Sequence, residues 1–367
     1  MHLPKFGNLV SLDDRRIVGG PPTQSLLPMK YKWLYNIFKK ANNNFWLPEE
    51  IGMGDDKYQY TTLPVNVRHA YDRIFSMLTT MDLIVTDALE SSIMPHATAP
   101  EFRSWLALQG YQEAIHSHSY TLIAEEVSLD PDEVFGRYLK EKELYDKIDM
   151  AYRYNKLIDT ADTSTIEGLR NFVLGYSFWV IVLEGMWFYL GLSAGTYPSR
   201  YHRVMRGTTD QFQYIRRDEQ LHYSTGLLVI REILNEYPEV LNSDLVNDIK
   251  AMVEEGVGLE DAFADATYIN LPGMLPNDYK EQVRFQARNL CRRLGIEVFP
   301  NATNAIPWFS ESVDLRKETN FFERRVSEYQ VAADLGWDEV NDVFVNDHFS
   351  GTTKIGDWDN PLNKDKS

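Results

Sequence analysis

Two pairs of residues have a spacing suited to metal chemistry: Glu113-Ala-Ile-His116 and Glu219-Gln-Leu-His222. On a helix, residues three apart project from one face. Each pair can therefore offer a carboxylate and an imidazole to one cation. A single such pair is more often a solvated surface pair or a satisfied polar pair in a core. Two pairs are more specific, and isolated acids in apolar surroundings strengthen them. Asp82 lies in FSMLTTMDLIV, and Glu184 lies near the centre of FVLGYSFWVIVLEGMWFYLGL. Four acids and two histidines suit two cations, because several anionic oxygens balance the charge and bridging carboxylates hold the ions close. Such an oxygen-rich set with two imidazoles favours iron or manganese over copper(I) or thiolate-bound zinc.

Tyr120 lies four residues after His116 and seven after Glu113, so all three share a helix face. A tyrosine in a dry pocket beside an oxygen-activating metal pair can be oxidised to a radical. The plainer reading is a core tyrosine with a bonded hydroxyl. Phe188, four residues after Glu184, is placed to wall the same cofactor space. His2, His69, His96, His118, His202 and His348 read as surface or structural residues. His118 is the nearest competitor of His116, but two residues on it points to another side of the helix.

These side chains need long helices to hold them. Apolar residues recur at three- and four-residue spacing between positions 31 and 289. Long proline-free stretches predict helices over residues 65–90, 100–127, 166–193, 210–235 and 243–268. Thr98-Ala-Pro-Glu101 and Ser164-Thr-Ile-Glu167 read as capping boxes. Residues 172–192 carry a single charge, Glu184, and are long enough to cross a bilayer. With Glu184 near the middle and no second span, a helix buried inside a large bundle is the better reading. The expected fold is all-α, a ferritin-like bundle of long helices around a dinuclear metal site.

Composition narrows the function. The 367 residues include 37 Lys and Arg against 54 Asp and Glu, a net charge of −17. That balance argues against nucleic acid, whose affinity rests on basic contacts, and against an anionic membrane. Cys291 is the one cysteine. It reads as a small core residue, and it leaves no intrachain disulfide, CxxC pair or multi-cysteine metal site. Metal or redox chemistry must then use His, Asp, Glu and aromatic residues. No signal peptide is evident, which predicts a cytoplasmic protein. Residues 1–27 read as an irregular arm, 28–330 as the helical domain, and 331–367 as a flexible acidic tail.

The segments NNNFWLPEEI, MDLIVTDALES, YQEAIHSHSY, VLEGMWFY, QFQYIRRDEQLH and AIPWFSESVDLRKETNFFERRVSEYQ resemble the radical-generating small subunit of class I ribonucleotide reductase. The likeness runs from about residue 30 to 337. It implies a homodimer with a di-iron centre held by Asp82, Glu113, His116, Glu184, Glu219 and His222, and oxygen as the oxidant. It implies a stable radical on Tyr120 and radical transfer through Trp46, with Asp218 linking Trp46 to His116. Tyr329 would pass the oxidising equivalent to the large subunit, which the C-terminal tail would dock. There ribonucleotides become deoxyribonucleotides, the supply for DNA replication. The active cysteines belong to that partner, which suits the lone cysteine here. Glu184 and Glu219 are 35 residues apart, about one more than the family pattern, which places an insertion in GLSAGTYPSRYHR. Relatives with a manganese–iron centre carry Phe at the Tyr120 position and Glu at the Asp82 position. Tyr and Asp here favour two irons, with mixed or dimanganese centres as alternatives.

Two rivals use the same bundle. A di-metal oxidase or hydroxylase needs an open channel to the metals and does not need Trp46, Asp218 and Tyr329 together. An iron-storage protein needs a hollow cage and no redox tyrosine.

Overall fold

The computed structural model describes residues 10–127 and 130–311. Tyr329, the 331–367 tail, His2 and His348 lie outside the described residues. The periodic apolar stretches fold as α1 Lys32–Asn42, α2 Asp56–Thr62, α3 Val65–Asp87, α4 Pro100–Val127, α5 Pro131–Phe135, α6 Lys142–Asp159, α7 Ile166–Ser177, α8 Tyr189–Gly195, α9 Arg206–Glu236, α10 Ser243–Thr267 and α11 Pro276–Arg292. Among the described residues the only β pairing is an isolated bridge between Val18 and Ala97. The fold is thus the all-α long-helix bundle.

The long apolar run is not one uniform α-helix, as its periodicity predicts. α7 passes into a π-helix, Phe178–Phe188, before the chain tightens again into α8. Every residue of that π segment is buried, and the most apolar stretch of 166–202 is wholly enclosed by the bundle. π turns are rare and often mark functional positions; this one carries Glu184. α3 also ends in a π turn, Ala88–Ile93. The π segment packs along α9. Gly226 of α9 makes that approach close, because a Cβ there would meet Val180 Cγ2 at 2.4 Å.

Helix starts differ from the expected capping boxes. Glu101 is fully buried and caps a different helix, accepting the backbone N–H groups of Lys30 (3.0 Å) and Tyr31 (3.2 Å) at the start of α1. Thr98 Oγ donates to the Arg16 carbonyl instead. At α7 the cap is Thr165, one residue later than expected, accepting from Gly168 N. α9 has no cap of its own, since Arg203 and Met205 enter it through left-handed φ values of 58° and 59°. Asp56 of α2 caps it from outside, accepting from Thr208 N (2.6 Å), Thr208 Oγ1 (2.7 Å) and Gly207 N (3.3 Å). A side-chain cap of this kind stabilises by about 1 kcal/mol.

The described part of the N-terminal arm is irregular and strapped to the bundle. Ile17 and Val18 are fully buried. Ile17 N donates to Glu236 Oε2 at the end of α9, and Tyr237 Oη donates to the Val18 carbonyl. Cys291 is a core residue, fully buried, and burial pushes its thiol up to about 12.

Candidate metal centre

Four helical segments deliver the six predicted ligands to one place. α3 brings Asp82, α4 brings Glu113 and His116, the π segment brings Glu184, and α9 brings Glu219 and His222. None of the six is more than 2% exposed. They form two overlapping groups of four. Asp82, Glu113, His116 and Glu219 make one; Glu113, Glu184, Glu219 and His222 make the other. Within each group the ligand atoms lie within 4.8 Å of one another. Glu113 and Glu219 belong to both groups, so they would be the carboxylates shared if two cations were bound.

The donor atoms fit cations better than they fit each other. Both Asp82 oxygens, both Glu219 oxygens, Glu113 Oε1 and His222 Nδ1 are buried without a hydrogen-bond partner. His222 Nδ1 is 3.0 Å from Glu113 Oε1 and 3.6 Å from Glu219 Oε2, but not aligned as a hydrogen bond. His116 Nδ1 lies 3.0 Å from Glu113 Oε2 and 3.1 Å from Glu219 Oε1. The opposite ring nitrogens face outward: His222 Nε2 pairs with Gln112 Oε1 at 3.0 Å, and His116 Nε2 lies 3.5 Å from Asp218 Oδ2. Such outer partners orient metal-binding imidazoles. Glu184 Oε1 accepts from Gln109 Nε2 at 2.7 Å.

Electrostatics leads to the same reading. Four carboxylates carry four negative charges, which two divalent cations neutralise; buried charges otherwise stay costly. With protein groups alone, burial drives the Asp82 and Glu184 carboxyls well above their ordinary range. Burial would also raise Glu113, but the His222 charge and the His116 hydrogen bond hold it low. The chain therefore carries a dinuclear metal-binding cluster.

Tyr120 sits on the Asp82 side, 1% exposed. Phe75 meets its ring edge-on at 5.8 Å and Phe212 lies at 6.4 Å. Its hydroxyl has no hydrogen-bond partner. Burial and then the Asp82 charge hold that hydroxyl well above its usual range. Phe188 is buried, but the rings placed against Tyr120 are Phe75 and Phe212. The sequence did hold a signal for both. Phe75 is seven residues before Asp82, and Phe212 is seven before Glu219, so each lies two helical turns from a ligand on the same face.

Trp46 sits on the other side of His116, 4% exposed. Its Nε1 donates to Asp218 Oδ2 at 2.8 Å, so Asp218 stands between Trp46 and His116. Arg217 Nε and Nη2 donate to Asp218 Oδ1 at 3.2 and 3.1 Å. Burial would raise the Asp218 carboxyl, but the Arg217 charge, the nearby His116 ring and the Trp46 hydrogen bond hold it low. The loop around Trp46 is pinned by Arg217 to the Asn44 carbonyl (2.6 Å) and by Gln211 to the Pro48 carbonyl (3.0 Å). Tyr214 stacks on Trp46 at 5.1 Å. Gln109, Gln112, Tyr214 and Arg217 were not legible as site residues, because they act through partners brought in from elsewhere in the chain. His118 is exposed and pairs with Glu49 at 2.6 Å, away from the cluster.

Residues 24–324 match the family model described as ribonucleotide reductase, small chain. A ribonucleoside-diphosphate reductase subunit beta of Chlamydia pneumoniae is 33% identical over 321 residues, covering 85% of this chain and 91% of that one. The R2 subunit of ribonucleotide reductase from Clostridium botulinum superposes with a TM-score of 0.74 at 25% identity, covering 81% of this chain and 94% of that one. The dimanganese(II)-NrdF of Streptococcus sanguinis superposes with a TM-score of 0.65, covering 79% of this chain and 98% of that one. At 17% identity that last likeness concerns the fold alone.

Proposed function

This chain belongs to the ribonucleotide reductase small-chain family, and we propose that Tyr120 holds its radical beside two irons bound by Asp82, Glu113, His116, Glu184, Glu219 and His222. The family role is to generate a radical and pass it to the large subunit, where ribonucleotides are reduced to deoxyribonucleotides. The observation that carries the site assignment is the pair of four-residue clusters sharing Glu113 and Glu219. Tyrosine at 120 and aspartate at 82 support iron over a mixed or dimanganese centre.

When bound, the metal pair supplies the oxidising power, with oxygen as the oxidant. The chain's residues do the rest. Tyr120 gives up one electron and its hydroxyl proton, for which the Asp82 carboxylate is the neighbouring base. Phe75 and Phe212 keep water from the oxidised ring. Trp46 provides the way out, sharing its indole proton with Asp218 Oδ2. We assign Tyr329 the onward step and the acidic tail the docking to the large subunit, with the chain a cytoplasmic homodimer and ribonucleoside diphosphates as substrates.

The hydroxylase alternative is not favoured. The cavity reaching Glu184, lined by Val85, Gln109, Tyr176 and Trp179 among others, has no room for even a water molecule. Electron paramagnetic resonance with metal analysis, after loading with iron and oxygen, tests the proposal. A tyrosyl signal with about two irons per chain is expected; metal binding without a tyrosyl signal would remove Tyr120 from its role. Tyr329→Phe should keep the signal and stop turnover with the large subunit.

A further inference from the structure

α9 uses the arginine beside Arg217 for a different task. Arg216 lies two residues before Asp218 and is only 9% exposed. Its Nη1 donates to Ser193 Oγ and to the Phe309 carbonyl, both at 3.1 Å, and its Nη2 donates to the Glu311 carbonyl at 3.1 Å. Its guanidinium lies 5.6 Å from the centre of the Tyr189 ring, whose hydroxyl donates to the same Phe309 carbonyl. Phe309 is fully buried, edge-on to Tyr279 and Trp308. On the outer side, Arg200 holds the Glu311 carboxylate at 2.8 and 3.1 Å.

A buried guanidinium is costly unless its donors are used. Here they serve the backbone carbonyls of Phe309 and Glu311, where the short turn Pro307–Ser310 leaves them without helical partners. The planar fork matters, because an ammonium is a point charge without that geometry. Neighbouring residues thus fasten two things to one turn of α9: Arg217 the Trp46 loop, and Arg216 the segment Phe309–Glu311.

We propose that Arg216 is a positioning residue for the two-subunit reaction, fixing Phe309–Glu311, the root from which the sequence runs on to the C-terminal tail, to the turn of α9 that carries Asp218. The inference rests on the small-subunit reading above. A root ordered before docking lowers the entropic cost of association. The test uses the full-length chain, metal-loaded, with its radical quantified and turnover titrated with the large subunit. Arg216→Met should keep metal content and radical signal and leave the maximal rate within about twofold. It should raise the large-subunit concentration for half-maximal turnover about fivefold, the loss of a preordered contact. Arg216→Lys should recover part of that shift. Arg200→Gln, which opens only the exposed half of the anchor, should shift it about twofold. If Arg216→Met loses its metals, Arg216→Lys and Arg200→Gln decide. Unchanged half-saturation in these variants overturns the proposal. So does a lower maximal rate at unchanged half-saturation, which would place Arg216 in the transfer path. A wild-type chain with no radical and no turnover would instead sink the small-subunit reading.

Discussion

His116 stands between two unlike neighbourhoods. Toward Asp82 and Tyr120, polar atoms are buried without partners, and Phe75 and Phe212 close the space. Toward Trp46, Asp218 takes hydrogen bonds from an indole and a guanidinium, and Arg217 continues the network to the backbone of the Trp46 loop. Leaving a buried polar atom unpaired costs about 1–3 kcal/mol. A fold retains several together only where something else satisfies them, here a pair of cations. The two sides therefore suit two tasks. A buried tyrosine ring walled by Phe75 and Phe212, with an unpartnered hydroxyl, can hold an oxidised state. A connected hydrogen-bond network such as Trp46–Asp218–Arg217 polarises along its length and suits transfer rather than storage.

Removing the storage side should have the largest effect. Tyr120→Phe should abolish the tyrosyl resonance and lower turnover at least about a thousandfold, equivalent to ~4 kcal/mol of barrier. Metal content should stay the same, because Tyr120 is outside both ligand groups. An unchanged tyrosyl spectrum would mean another tyrosine stores the radical. Breaking the transfer side comes next. Trp46→Phe keeps an aromatic ring but loses the donor to Asp218, so the radical should persist while turnover falls about a hundredfold, ~3 kcal/mol. If Trp46→Phe lost the radical too, the two sides would not be separable and the contrast would fail.

Much of this was legible in the sequence, for a physical reason. Ligands on helices obey fixed spacing, so Glu113 with His116 and Glu219 with His222 declare themselves locally. Asp82 and Glu184 were legible because an acid inside an apolar run is costly without a partner. The π-helix around Glu184 was not legible, since α and π turns share the same apolar composition. Glu101 misled in another way. Its local motif is a capping box, yet its carboxylate serves α1, about seventy residues earlier in the chain, a long-range pairing that propensity cannot encode. Asp56 as the cap of α9, and Arg217 as the tie to the Asn44 carbonyl, were hidden for the same reason.

Smaller changes sharpen the contrast by testing the walls rather than the centres. Phe212→Ala removes one ring beside Tyr120, leaving a cavity that costs about 3–5 kcal/mol of stability. It should shorten the radical's lifetime by about tenfold by opening room for water beside the ring. Thermal melting and the decay of the resonance signal measure the two effects separately. A lifetime equal to wild type would mean that dryness is not what protects the ring.

The smallest effect is expected at Arg217. Arg217→Gln withdraws a guanidinium from Asp218 and from the Asn44 carbonyl, but leaves the Trp46 Nε1 bond to Asp218 in place. The carboxylate then depends on Trp46 and His116 alone, in a buried setting that penalises its charge. Turnover should fall about threefold, less than 1 kcal/mol of barrier, with the tyrosyl signal and its decay unchanged. Because Arg217 touches only the transfer side, a change in radical lifetime would show that the two neighbourhoods of His116 communicate. An unchanged lifetime with slower turnover is what independent storage and transfer require.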